Sequence, residues 1–288
     1  MSVVTHATAQ LLRVLPRAQI GRAVGRLAEW PWPPSIGKWV VSAYAQAYGV
    51  CLHEADSNGG YATFDAFFTR RLLAGVRPVD PGARTIVSPA DGRIESVSRI
   101  DGDGVLLVKG RPYKVQELAG CASEAGRFEG GVGFVVYLSP RDYHRVHAPV
   151  SGTIGRIRSM PGDYFPVNAI GVQHFPSLFC RNRRVAIEID ADGGLGRVTV
   201  VMVVAMIVGR ITTLGVDARD VPLGDHTFRE APRVERGDEI GVFHLGSTAV
   251  VLLQAKATQG WLAPEGPVRF GQPLARASSG TVEAGETP

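Results

Sequence analysis

From about residue 82 onward the chain is a series of short apolar runs rich in Val, Ile, Leu and Phe, each interrupted by Gly, Pro or Asp. Such runs, with turn-forming residues between them, are typical of strands in a β-barrel or β-sandwich. The 35 glycines and 19 prolines are scattered rather than periodic, which also favours many turns. The longest apolar run, residues 198–208, is about half a membrane span and rich in Val, so it predicts a buried strand.

The N-terminal part has a helical pattern of apolar residues instead of strand-like runs. Residues 10–29 carry Leu, Ile and Val at helical spacing, interrupted by a proline, with four arginines among them and Trp30 and Trp32 just beyond. A second helical pattern covers residues 36–51. Basic residues opposite an apolar stripe suit a helix lying in the membrane interface, and an ordinary amphipathic helix packed on the body is the alternative interpretation.

A short helix is predicted to follow, because Thr63 can cap it and Phe67 and Phe68 can anchor it in a core. Arg70 and Arg71 come directly after it. These two arginines could contact lipid phosphates, and a solvated basic face is the other interpretation.

Composition excludes several classes of protein. The net charge of +4, with no Lys/Arg-rich run interleaved with aromatic residues, argues against a nucleic-acid partner. Cys51, Cys121 and Cys180 form no Cys-x-x-Cys pair, so neither a disulfide framework nor a structural zinc site is indicated, and a reducing compartment is expected. The first residues lack the pattern of a secretory signal.

These patterns predict a strand-rich α+β fold. We expect an N-terminal amphipathic helical region over residues 1–76, a strand-rich catalytic domain over residues 77–277 and a disordered polar tail over residues 278–288. The segment 147–163 looks like half of a lipoyl-type carrier barrel but contains no lysine to carry a lipoyl group. The likeness therefore concerns the fold alone, and indicates a β-barrel or sandwich body built of two similar halves.

The stretch 241–253 contains the residues that most strongly indicate a chemical reaction. Two apolar runs of strand type flank Gly246, Ser247 and Thr248, so a strand, a tight turn and a second strand are expected. Gly246 gives the backbone freedom to strain, and its missing side chain leaves the preceding carbonyl open to the Ser247 hydroxyl. A serine that attacks this carbonyl turns the peptide into an ester, which can break by β-elimination to leave a pyruvoyl group. A plain hairpin is the alternative.

Asp91, between Ala90 and Gly92, is either a turn-former or a carboxylate that orients a histidine. His144 and His147 lie three residues apart, between a predicted strand and an Ala-Pro pair. If they belong to a helical turn, both imidazoles face one site. A zinc pair would lack a third ligand at metal-site spacing, whereas two histidines with different roles suit a reaction with two proton transfers.

Asp91, His147 and Ser247 also follow one another in an order compatible with a hydrolase triad, although no Gly-x-Ser-x-Gly elbow surrounds the serine. His244 stands three residues before Ser247, but alternation along the strand predicts that it points away from Leu245 and Ser247.

With these blocks in hand, the chain resembles the bacterial phosphatidylserine decarboxylases. The similar blocks are residues 67–72, 76–78, 89–92, 137–147, 160–163, 167–168, 178–185, 207–209, 243–248 and 270–274. Each block is short, but the ordered set covers most of residues 10–275 and is specific.

The resemblance implies a proenzyme that cuts itself between Gly246 and Ser247. Ser247 would then head a small chain, residues 247–288, as a pyruvoyl group, beside a large chain of residues 1–246. By the same analogy Asp91, His147 and Ser247 drive the cut, with His147 as base. His144 is implied in the later decarboxylation.

The implied activity needs no external cofactor. The pyruvoyl group would bind phosphatidylserine as a Schiff base, accept the electrons released as carbon dioxide leaves, and yield phosphatidylethanolamine. A lipid substrate favours a membrane-surface role for the N-terminal helices, and the implied location is peripheral, on the cytoplasmic face of an anionic bacterial cell membrane. The oligomeric state, a homodimer included, stays open.

Two rival functions remain at this point. One is a pyruvoyl decarboxylase of a soluble amino acid, which would not stay with vesicles. The other is a serine hydrolase that uses Asp91, His147 and Ser247 in an uncut chain.

Overall fold

A computed structural model describes residues 16–57, 59–82, 84–167, 169–206, 210–255, 257–261 and 263–277. The predicted tail at 278–288 and the start of the first predicted helix lie outside these residues. The α-helices are Arg17–Ala28 (α1), Pro34–Tyr48 (α2), Phe64–Phe68 (α3), Val115–Ala119 (α4), Ala122–Phe128 (α5), Ala169–His174 (α6) and Leu178–Arg181 (α7).

Strands dominate the rest of the chain, as predicted. The strands are Ala55–Asp56 (β1), Arg71–Leu72 (β2), Thr85–Val87 (β3), Gly92–Arg99 (β4), Val105–Val108 (β5), Arg111–Lys114 (β6), Val132–Leu138 (β7), Arg145–His147 (β8), Gly152–Met160 (β9), Arg184–Ala191 (β10), Gly196–Val204 (β11), Arg210–Thr213 (β12), Gly224–His226 (β13), Arg233–Val234 (β14), Glu239–His244 (β15), Ser247–Leu253 (β16), Thr258–Trp261 (β17), Gly266–Val268 (β18) and Pro273–Ala277 (β19).

The main sheet has nine strands, in the order β13-β9-β10-β11-β16-β7-β4-β18, with β14 also paired to β9. Its pairings are antiparallel. Two three-stranded sheets, β12-β15-β8 and β17-β19-β3, accompany it, with two small hairpins, β1-β2 and β5-β6. Strand β16 is therefore central, held by β11 on one side and by β7 on the other.

Both faces of the main sheet are buried. Along β11, Val200 and Met202 enter one core with residues of the three-stranded sheets, such as Phe243. Val201 and Val203 alternate into a second core with residues of the short helices. A strand covered on both faces reads as a nearly continuous apolar run, which explains the run at 198–208.

The described strands form a sandwich-like arrangement and not a closed barrel, so the barrel expectation is corrected. The main sheet ends at β13 and β18 without these strands pairing with each other. Small sheets cover one face, and short helices the other. Apolar runs show that a strand is buried, but they do not show whether a sheet closes on itself or is covered by other elements.

The N-terminal helices pack on this body. Arg17 donates to both carboxylate oxygens of Asp163, at 2.8 and 2.6 Å, and Ala28 lies in a small core with Phe68 and Leu245. In α3, Thr63 accepts from the backbone N–H of Ala66, as the predicted N-cap should. Within the described residues no helix has the length and apolar character needed to cross a bilayer.

Candidate active site

The turn between β15 and β16 is strained and joins two sheets, since β15 pairs with β12 and β8 whereas β16 pairs with β11 and β7. Leu245 has φ of 81° and Gly246 has φ of 59°, so two successive residues adopt the left-handed region. For leucine this conformation costs about 1–3 kcal/mol, and it persists only where the surroundings hold it. At Gly246 nothing lies within 4 Å of where a Cβ would stand. Glycine is therefore favoured here for its conformation, and not for lack of space.

Packing explains why the turn keeps this conformation. Leu245 is buried against Ala28 of α1 and Phe68 of α3. Burying a leucine side chain contributes about 1.5–3 kcal/mol, which is enough to offset the strain. On the far side of the turn, the backbone of Ser247 pairs with Leu138 of β7 and Val204 of β11. The peptide between Gly246 and Ser247 thus lies between a clamped turn and a central strand.

His144 lies beside this turn. It ends the connection from β7 to β8, and its carbonyl accepts from the N–H of Phe243. Its ring contacts the Phe68 ring, with centroids 4.1 Å apart. Nδ1 lies 2.8 Å from the Asp142 carbonyl and must donate to it, while buried Nε2 has no partner among the described residues. Burial lowers the pKa of His144 to about 3, so the imidazole is neutral.

His147 has different surroundings, because residues 145–147 form a strand and not the helical turn that would make both histidines converge. It pairs with Glu239, at the end of β15 farther from the turn. Its Nδ1 donates to the Gly237 carbonyl at 2.7 Å, and its Nε2 lies 3.2 Å from the Tyr143 hydroxyl. Burial lowers the pKa of His147 as well, so it is available as a neutral base.

Among the described residues, Asp91 forms no direct hydrogen bond to a histidine. Its carboxylate accepts from Arg77, with contacts of 2.7 to 3.1 Å, and from the N–H of Phe270 at 2.8 Å. Phe270 in turn stacks on the His147 ring at 3.8 Å between centroids. Asp91 and His147 are thus neighbours through Phe270, and both nitrogens of His147 are bonded elsewhere. The carboxylate would act on His147 by charge rather than by contact.

A buried polar cluster that no sequence motif indicates lies next to the turn. His244 donates from Nδ1 to Asp65 at 2.8 Å, and Thr212 lies 3.1 Å from Nε2. Arg210 pairs with the same carboxylate at 2.8 Å. Burial raises the pKa of Asp65, but hydrogen bonds from His244 and Arg210 more than offset this and hold it below its usual range. The cluster ties α3 to the strand that leads into the turn; its members are too far apart in sequence for a local pattern to reveal it.

A cavity of about 350 Å³ is lined in part by residues 141–143 of the β7–β8 connection. Its walls include Tyr143 and Asp91 of the His147 surroundings, together with four arginines at positions 70, 77, 141 and 269. The four arginines outnumber the three carboxylates of the lining, Glu54, Asp91 and Asp142, so the polar pocket is suited to an anionic ligand.

The structure thus defines a strand-rich α+β protein with buried neutral histidines near a strained Leu-Gly-Ser turn. Comparison with known proteins places it among decarboxylases. The family model described as phosphatidylserine decarboxylase matches residues 64–276. A protein of Myxococcus xanthus named phosphatidylserine decarboxylase proenzyme is 40% identical over 271 residues, covering 91% of this chain and 95% of the relative. One of the same name from Azotobacter vinelandii is 38% identical over 280 residues, covering 92% and 96%.

The chain therefore belongs to the phosphatidylserine decarboxylase family. The resemblance drawn from the ordered sequence blocks is confirmed.

Proposed function

We propose that this chain is a proenzyme that cuts itself between Gly246 and Ser247 and then converts phosphatidylserine to phosphatidylethanolamine. The observation that carries the proposal is the strained turn at Leu245 and Gly246 directly before Ser247. Strain at Leu245, one residue before the Gly246–Ser247 peptide, can be released once that bond breaks, which favours the cut product.

The cut needs only this chain's own groups. The Ser247 oxygen attacks the Gly246 carbonyl, the C–N bond breaks, and an ester joins the two parts. Elimination then removes the Cα proton of residue 247 and releases the Gly246 carboxylate, which leaves a dehydroalanine. Water hydrolyses the imine tautomer of that residue to ammonia and a ketone at the new terminus. This group supplies an electron sink when carbon dioxide leaves the substrate. A neutral histidine that takes the serine proton is required, and His147 is the residue that the family analogy assigns.

After the cut the two chains should stay together. The small chain, residues 247–288, contains β16, which pairs along seven positions with β11 and along seven with β7. It also contains β19, which pairs with β3 of the large chain. Because β16 is central and its side chains are buried in both cores, its removal would open the main sheet.

The decisive experiment is the intact mass of the purified wild-type protein under denaturing conditions, combined with an assay of carbon dioxide release. We expect two chains, 1–246 and 247–288, with a ketone at residue 247 that borohydride reduces, and release from phosphatidylserine but not from free serine. A single full-length chain that hydrolyses esters would support the serine hydrolase instead. Release from free serine would support the soluble amino-acid decarboxylase.

We also propose that α1 and α2 contact the lipid surface, on the cytoplasmic face of the cell membrane. Large apolar side chains are exposed there: Leu27 and Trp30 are 72% exposed and Trp39 is 71% exposed, and Ile36 is partly exposed as well. Trp and Leu on a basic helical segment are the residues that insert at the interface. We call Leu27, Trp30 and Trp39 the apolar surface patch.

Replacing the apolar surface patch, as Leu27→Ser with Trp30→Ser and Trp39→Ser, should weaken binding to anionic vesicles at least tenfold. Three inserting side chains of about 1.5–3 kcal/mol each are lost, and this estimate allows for incomplete burial in lipid. Vesicle sedimentation measures it. Leu107→Ser is the control, because Leu107 is 49% exposed on β5, in the hairpin that β5 forms with β6, and should leave binding unchanged. Equal binding by the triple variant would mean that the patch does not meet lipid.

A further inference from the structure

Arg70 is a buried cation that lacks a counterion among the described residues. Its side chain lines the cavity and the residue is only 5% exposed. Nη2 donates to the carbonyls of Arg141 and Asp142, at 3.0 and 3.3 Å. Nε and Nη1 have no hydrogen-bond partner within the described part of the chain, and the Phe67 ring, 5.5 Å from Cζ, offers the guanidinium a π face but no negative charge. A buried guanidinium with unused donors is unfavourable unless an anion completes it. The solvated basic face is therefore the wrong interpretation for Arg70, while Arg71 is exposed.

The other charges near Arg70 are already used. Arg77, in the same wall, takes both Asp91 and Glu54 as ion-pair partners at 2.7 Å each. The remaining nearby carboxylate, Asp142, accepts from the N–H and hydroxyl of Ser139 through one oxygen, at 2.7 Å. Arg77 is thus neutralised by the protein, and the other two arginines of the cavity lie near carboxylates as well, Arg269 at 3.5 Å from Glu54 and Arg141 at 3.8 Å from Asp142. Among the four, Arg70 is the one without an ion-pair partner in the described part of the chain.

Arg70 is also joined to His144. The Asp142 carbonyl accepts from both Nη2 of Arg70 and Nδ1 of His144. Phe68, two residues before Arg70, contacts the His144 ring and packs with Leu245 of the strained turn. An anion bound at Arg70 would therefore lie close to the histidine that the family analogy assigns to the decarboxylation.

We propose that Arg70 binds the phosphodiester of the lipid headgroup in this cavity, an inference that rests on the proposed function. The substrate carries two anions, a carboxylate and a phosphodiester. The carboxylate loses its charge as carbon dioxide leaves, so a buried arginine paired with it would stabilise the substrate more than the transition state and slow the reaction. The phosphodiester keeps its charge throughout, and binding it holds the lipid in place at no cost to the chemical step.

The test compares mature wild-type, Arg70→Gln and Arg70→Lys enzymes on short-chain phosphatidylserine in mixed micelles. Denaturing mass analysis first establishes that each variant has been cut. Arg70→Gln should raise KM roughly ten- to a hundredfold, the effect of losing a charge-assisted hydrogen bond, with a smaller change in kcat. Arg70→Lys should recover part of the loss. Arg99→Gln is the control, since that arginine is exposed at the end of β4 and does not line the cavity, and KM should change less than about twofold.

The product distinguishes the two anions, because phosphatidylethanolamine retains the phosphodiester and lacks the carboxylate. Short-chain phosphatidylethanolamine should inhibit Arg70→Gln roughly ten- to a hundredfold more weakly than wild type, in parallel with KM. Unchanged product inhibition with a raised KM would assign Arg70 to the carboxylate and overturn the proposal. A fall in kcat at constant KM would overturn the proposal as well, because it would mean that Arg70 holds the β7–β8 connection in place and does not bind the substrate.

If Arg70→Gln remains uncut or unfolded, inhibition of the wild-type enzyme by fragments of the headgroup tests the proposal instead. Glycerophosphoethanolamine should compete with the substrate, and ethanolamine at the same concentration should not; equal weak inhibition by both would overturn the proposal. If the wild-type enzyme releases carbon dioxide but the Arg70 variants or the competition experiment give the contrary result, only this inference is refuted. If the wild-type enzyme releases no carbon dioxide, the proposed function is refuted, and this inference with it.

Discussion

Ser247→Ala is expected to yield one uncut chain of 288 residues with no decarboxylase activity. A methyl group cannot attack the Gly246 carbonyl, so no ester forms, no elimination follows and no ketone appears. The loss should be complete rather than partial, because the proposed reaction lacks an electron sink without that group. Intact mass and carbon dioxide release from phosphatidylserine are the two measurements.

Ser247→Cys provides the control for this substitution. It keeps a nucleophile at the same backbone position, so we expect it to be cut, at an altered rate, and to show the two chains that the alanine variant lacks. Two fragments from Ser247→Ala would place the reacting group elsewhere and refute the assignment of the cut. An uncut but fully active alanine variant would refute the need for a pyruvoyl group.

The succession of strand, turn and strand around Ser247 could be predicted from sequence, whereas the strain of the turn and the membership of its two strands in different sheets could not. Apolar runs on either side of a glycine predict strand, turn and strand, and β15 and β16 follow this pattern. A positive φ at Leu245 is not a property of leucine. It follows from packing against Ala28 and Phe68, which stand far away in the sequence, and no local pattern contains that information.

The histidines show the same division between local and distant causes. The sequence predicted correctly that both histidines lie near the end of a strand. The helical turn that would hold both of them was wrong, because the pairing of β8 with β15 makes residues 145–147 a strand. In a strand, residues three apart face opposite sides, so His144 and His147 occupy separate environments. The expectation of a closed barrel was wrong for a related reason. A continuous apolar run shows that both faces of a strand are buried, but not which elements cover them.

The second large effect is a separation of function between the two histidines. His147→Ala should leave the chain uncut, or slow the cut by about 10²–10⁴, because a general base contributes that much. His144→Ala should be cut normally and fail to release carbon dioxide by a similar factor. Time-resolved mass analysis of freshly synthesised protein follows the cut, and carbon dioxide release from the matured enzyme follows the second reaction.

Tyr143→Phe provides a control, because it removes the hydroxyl next to Nε2 of His147 while keeping the ring. If His147 takes the serine proton through that hydroxyl, the cut should slow almost as much as in His147→Ala; if the hydroxyl only positions the imidazole, the effect should be about tenfold or less.

The geometry makes the opposite outcome informative as well. His144 is the histidine that lies alongside Phe243 and contacts Phe68 next to the strained turn, while His147 pairs with Glu239 farther away. An uncut His144→Ala chain together with a normally cut His147→Ala chain would therefore mean that proximity decides, and that the roles inherited from the family are exchanged. If His147 proves to be the base, its side chain must reach Ser247 through Tyr143 or by a rearrangement of β8 before the cut. Either result fixes which imidazole meets the serine, because both are neutral at physiological pH and only their positions distinguish them.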